Sequence, residues 1–206
     1  MFVSIFTSYP RTLIVVTALV AMLFLAYGGV TDAVYPSLLV VFEWLETTWF
    51  GVIGKTWGPA FAFVEAVHLL GLALLGGCVL AGDGRLLGLV LTDVPIRTVT
   101  ERTHRVFVCG LAICLATGIF MACGVATKIY YLSVYWFKML ALSAGILFHF
   151  QIRRPLLNHD IQALNPVVVK MVGLASMLVW FMVAATGRWI GFSGWVRKMV
   201  NPEIYG

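Results

Sequence analysis

Five stretches of this chain are apolar enough, and about long enough, to cross a bilayer, and that leaves the backbone few options. A hydrocarbon core of about 30 Å takes roughly 20 helical residues. The stretches are Thr12 to Val30, Gly58 to Leu80, Val106 to Val125, Ser133 to Gln151 and Val167 to Gly187. Peptide groups inside lipid need internal partners, so only helices and closed barrels span it. None of these stretches alternates polar and apolar residues in the manner of a barrel strand, so each is predicted to be a helix.

Composition agrees: 61% of the 206 residues are hydrophobic and 11% are charged, against roughly 25% charged in soluble domains. The expected fold class is all-α, an integral membrane bundle of five transmembrane helices with one amphipathic interfacial helix. The interfacial helix is expected over 37–54, where Glu43, Glu46 and Thr47 alternate with apolar residues and Trp44, Trp49 and Trp57 stand at the edges. One domain covers 1–206: an added N-terminal helix at 12–30, a four-helix core at 58–187 and a tail at 188–206. Arg11, the first apolar run and Ala26-Tyr27-Gly28-Gly29 also outline a secretory signal, but we read the segment as a transmembrane helix.

The net charge of +5 does not point to nucleic acid, because Lys and Arg collect in connections between apolar runs and not along one face. Counted on a five-span topology, Arg11, Arg85, Arg97, Arg102, Arg105, Arg153, Arg154 and Lys170 fall on one side, eight against five. That excess places the N-terminus inside and the C-terminus outside. Gly82-Asp83-Gly84-Arg85 reads as a turn leaving the second span, and Asn165-Pro166 as the entry to the last. Cys78, Cys109, Cys114 and Cys123 lie within spans and form no CxxC pair, so they read as small apolar residues. Gly110, Cys114 and Gly118, and likewise Ala73, Gly77 and Ala81, form stripes suited to close helix approach.

Against this background Glu65, His68 and Lys138 stand out, since an ionisable residue within a span costs several kcal/mol and needs a partner or a cavity. Glu65 and His68 share one helical face, and Lys138, Leu142, Gly145 and His149 share another. Equal depth in the second and fourth spans predicts an intramembrane ion pair between Glu65 and Lys138. Neutral imidazoles are suitable axial ligands for b-type haem, which makes His68 and His149 candidate cofactor-binding residues. His104, opening the third span near the depth of His149, competes with His68 as its partner. The neighbouring Arg102, Arg105, Arg153 and Arg154 suit haem propionates or simply mark the inner side, and His159 reads as a loop residue.

Phe42-Glu43-Trp44-Leu45-Glu46, Glu65-Ala66-Val67-His68-Leu69-Leu70-Gly71-Leu72, Gly82-Asp83-Gly84-Arg85-Leu86-Leu87-Gly88 and Phe137-Lys138-Met139-Leu140 with Phe148-His149 together resemble an uncharacterised family of bacterial multi-pass membrane proteins. The resemblance covers roughly 40–155 and implies a helical fold in the bacterial inner membrane, with no activity attached. The chain departs from the family pattern at Gly84, where Leu is usual, and near Ile146, where Asn is usual. No nucleophile constellation or nucleotide motif is present, so an enzyme acting alone is not expected. The expected function is that of a membrane subunit of a larger complex, redox-linked through haem or metal at the histidines. The alternatives are a structural accessory subunit, or a small proton-coupled transporter or channel using Glu65, His68 and Lys138. Expected partners are lipid and other membrane subunits or a second copy.

Overall fold

A computed structural model of the chain describes residues 30–158 and 164–200, together with Thr17, and side chains over 35–158 and 164–192. Every regular element among the described residues is helical. They are α1 (Val30–Thr47), α2 (Trp49–Thr56), α3 (Gly58–Leu87), α4 (Ile96–Gly124), α5 (Ala126–Tyr130) and α6 (Ser133–Leu147). A π-helical turn over Phe148–Arg153 leads to α7 (Arg154–Asn158), and α8 (Pro166–Val200) follows. Four of these stretches are long and apolar enough to cross a membrane: Gly58–Leu87, Ile96–Gly124, Ser133–Asn158 and Pro166–Phe192. The expected span at 12–30, apart from Thr17 and Val30, and His159 lie outside the described residues.

The segment expected as one interfacial helix is two helices bent by 69°, and if the bent pair is counted as one span the total rises to five. Thr48 makes the break, because its hydroxyl donates to Leu45 O at 2.6 Å and accepts from Gly51 N at 3.3 Å, capping α2. A Cβ at Gly51 would run into the carbonyls of Leu45 and Glu46, so the sharp corner requires glycine there. Glu46 ties the corner down by pairing with Lys55 Nζ at 2.7 Å and accepting from Thr127 N at 2.8 Å.

The helices run further than the hydropathy runs suggested, and α3 shows why. Gly82-Asp83-Gly84-Arg85 is not a turn but the last part of this helix, with Gly82, Asp83 and Gly84 buried. The glycines mark close approach here and not chain reversal: a Cβ at Gly82 would stand 2.9 Å from Arg153 Nη2, and one at Gly84 2.8 Å from Val90. The helix ends instead at Gly88, which takes the left-handed conformation at φ 77°. Asn165-Pro166 does begin α8, with Asn165 Oδ1 accepting from Val167 N at 2.9 Å.

Helices α3 and α4 pack antiparallel along Gly110, Cys114 and Gly118, one of the two small-residue stripes. A Cβ on Gly110 would lie 3.1 Å from Gly71 O and 3.2 Å from Leu75 N, so the backbones touch. Of the other stripe, Ala73 and Gly77 are exposed and a Cβ on Gly77 would meet no described atom within 4 Å, whereas Ala81 is half-buried. Helix α8 closes the bundle against α3 and α6 around a core of Leu75, Val79, Phe107, Leu111, Trp180 and Val183.

Candidate functional site

Pro155 shapes the region where the polar side chains meet. Proline lacks the N–H an α-helix needs, and its ring crowds the carbonyl four residues earlier, here that of Gln151. The helix widens through the π turn just ahead of it, and such turns re-aim side chains. His149 and Arg153, both in that turn, are 2% and 5% exposed.

Arg153 Nε donates to Asp83 Oδ1 at 2.6 Å, a buried pair that the sequence reading missed. By sequence Asp83 reads as part of a turn, and Arg153 as a propionate partner or a mark of the inner side. The second carboxylate oxygen, Asp83 Oδ2, and the Ser176 hydroxyl beside it interact only weakly with each other, and neither makes a hydrogen bond of ordinary geometry among the described residues. Both face a cavity of about 10 Å³ also lined by Cys78, Thr103, His104 and His149, a size that takes one water.

His104 Nδ1 lies 3.2 Å from His149 Nε2, and His104 Nε2 meets Arg154 Nη1. Arginine only donates, so His104 accepts at Nε2 and, when neutral, carries its proton on Nδ1. That proton points at His149 Nε2, giving a directional chain from Arg154 through His104 to His149. The His149 ring stacks on Phe107 with centroids 3.9 Å apart. Next to His104 a wider vestibule of about 310 Å³ opens between α4 and α7.

The other sequence candidates stand apart. His68 Nδ1 lies 2.8 Å from Thr117 Oγ1 on α4, and Thr117 already donates to Ile113 O at 2.6 Å, so His68 is the donor. The expected Glu65–Lys138 pair is not among the ion pairs within 4 Å of the described residues. Glu65 lies on an exposed face of α3, whereas Lys138 is half-buried and turns toward α8, 3.4 Å from where a Cβ of Gly187 would be. Helical phase within one span does not say which neighbouring helix a face meets.

The apolar core separates these groups into two polar layers. Leu75 and Val79 lie between His68 and Asp83 on α3, Phe107 and Leu111 between His104 and Thr117 on α4, and Trp180 and Val183 between Ser176 and Gly187 on α8. A haem between paired imidazoles does not fit this arrangement. His104 and His149 are in nitrogen-to-nitrogen contact with no slot for a macrocycle, and His68 is on the far side of the core. No cluster of three His, Cys, Asp or Glu side chains among the described residues converges to hold a metal.

The fold and site define a helical protein with helices apolar enough for a membrane and an enclosed polar centre at one end. The chain belongs to the Family of unknown function (DUF6644), whose pattern matches residues 41–193. No curated protein and no solved structure matches it.

Proposed function

We propose that the protein is a multi-pass subunit of a larger membrane assembly and supplies it with a proton-exchanging centre reached from one side. The observation that carries this reading is the contact of His104 with His149 beside the buried Asp83–Arg153 pair. Ionisable groups enclosed at membrane depth mark relays and ion paths more often than they mark stability. A proton entering from the vestibule binds His104 at Nε2 once Arg154 releases that nitrogen. The proton on His104 Nδ1 then passes to His149 Nε2, leaving His104 neutral and His149 cationic. Asp83 borders the same small cavity and is the nearest carboxylate to the new charge, although its own charge is already matched by Arg153.

The apolar layer lies between this centre and the His68 side, so the centre by itself moves no charge across a membrane. A partner completing the route is therefore part of the proposal, and the open Ala73–Gly77 stripe offers a face for close helix packing. The excess of Lys and Arg argues for a bacterial inner membrane placement with the arginine-rich end and the N-terminus in the cytoplasm.

Purification from native membranes in mild detergent tests this. The expected result is a stoichiometric partner and an assembly whose proton uptake, followed with a pH indicator, is abolished by His149→Gln without loss of the partner. A chain that isolates alone, or uptake unchanged in the variant, contradicts the proposal.

A further inference from the structure

The vestibule beside His104 has its own chemistry, independent of the proton reading. Its volume is about 310 Å³, and its lining includes Thr100, His104, Arg105, Arg153, Arg154 and Asn158, with Glu101 as the one carboxylate. Two of these charges are already matched. Arg153 is bound to Asp83 at 2.6 Å, and Glu101 is bound to Arg97 at 2.8 Å.

Arg105 and Arg154 are left. Arg105 is exposed and has no ion-pair partner among the described residues. Arg154 is exposed too, and its recorded contact is to His104 Nε2, which provides a hydrogen bond but no negative charge. Two planar guanidinium groups on facing elements, α4 and α7, can each offer paired donors to a tetrahedral oxyanion. The Asn158 amide, on the same wall, adds a neutral donor. The volume stands at the lower end of ligand pockets, which suits a single head group better than an extended organic molecule. Basic pockets between transmembrane helices are also where anionic lipid head groups bind.

We propose that this vestibule binds a phosphate oxyanion through Arg105 and Arg154, either as a lipid head group or as a free ion. The test uses the full chain in two arms. In the first, the protein is reconstituted in phosphatidylcholine vesicles containing phosphatidylglycerol, and lipid retained after extraction is read by native mass spectrometry. In the second, inorganic phosphate is titrated onto the protein in phosphatidylcholine alone and read by phosphorus NMR. Saturable binding is expected in at least one arm, and that arm names the source. Arg105→Gln with Arg154→Gln should weaken it by about tenfold or more, the equivalent of roughly 1.4 kcal/mol. Arg188→Gln, whose guanidinium lies 4.4 Å from the Phe192 ring on α8, should leave it unchanged. Arg105→Gln alone breaks no ion pair within the described chain, so weaker binding in that variant cannot be laid to a lost internal pair. Failure of native protein to bind either probe, or equal binding by the double variant, overturns the proposal. The proton-uptake reading can fail without touching this result, because neither arm measures protons.

Discussion

Asp83 and Arg153 show how far apart in sequence the parts of one buried contact can be. The carboxylate is fully buried and the guanidinium nearly so, which makes either one costly without the other. Removing one partner of a buried pair typically costs about 3–5 kcal/mol, whereas replacing both with apolar residues is often neutral. Arg153→Met is therefore expected to destabilise the protein by about that amount in detergent unfolding, and Asp83→Leu with Arg153→Met to recover most of it. A loss in the double variant equal to the sum of the losses of Asp83→Leu and Arg153→Met measured singly would show that the pair is not coupled. Sequence reading missed this contact for a physical reason: flanking glycines made Asp83 look like a turn, and Arg153 sat at a span end where positive charge is ordinary. His104 and His149 were legible as candidates because both lie at the same end of neighbouring spans. Lys138 was legible as a charge within an apolar run, but the helix it faces was not.

Among the elements, the α3–α4 crossing was the most readable, since a glycine-rich stripe at helical spacing has few uses other than close packing. Its mirror, the Ala73–Gly77 stripe, looked equivalent in sequence and is open in the structure. The two sites make opposite predictions for one substitution. Ala raises helix propensity over Gly by up to about 1 kcal/mol. At Gly110 the new methyl would press on backbone atoms of α3 at 3.1 and 3.2 Å, and overpacking of that kind costs about 1–3 kcal/mol. Gly110→Ala should thus lower unfolding stability, whereas Gly77→Ala should leave it unchanged or raise it. Helix ends were less readable, because polar residues at the borders of α3 and α6 face other helices and not water. The π turn is written in Pro155, but a proline in an apparent loop gives no sign that the helix continues through it.

At the scale of the molecule, four membrane-length helices were visible in hydropathy alone, because lipid leaves the backbone so little choice. The layering within the bundle was not, since it depends on which faces meet. Two polar layers, His68 with Thr117 and Lys138 at one depth and Asp83, His104, His149 and Arg153 at another, are held apart by Leu75, Val79, Phe107, Leu111, Trp180 and Val183. On the proposed reading, that separation makes the centre one-sided, unlike a channel. Proton flux through liposomes containing this chain alone, followed with a trapped pH-sensitive dye under an imposed gradient, tests the point most directly. The layered structure predicts a rate equal to that of protein-free liposomes, and sustained flux above that rate, lost in His149→Gln, would contradict it.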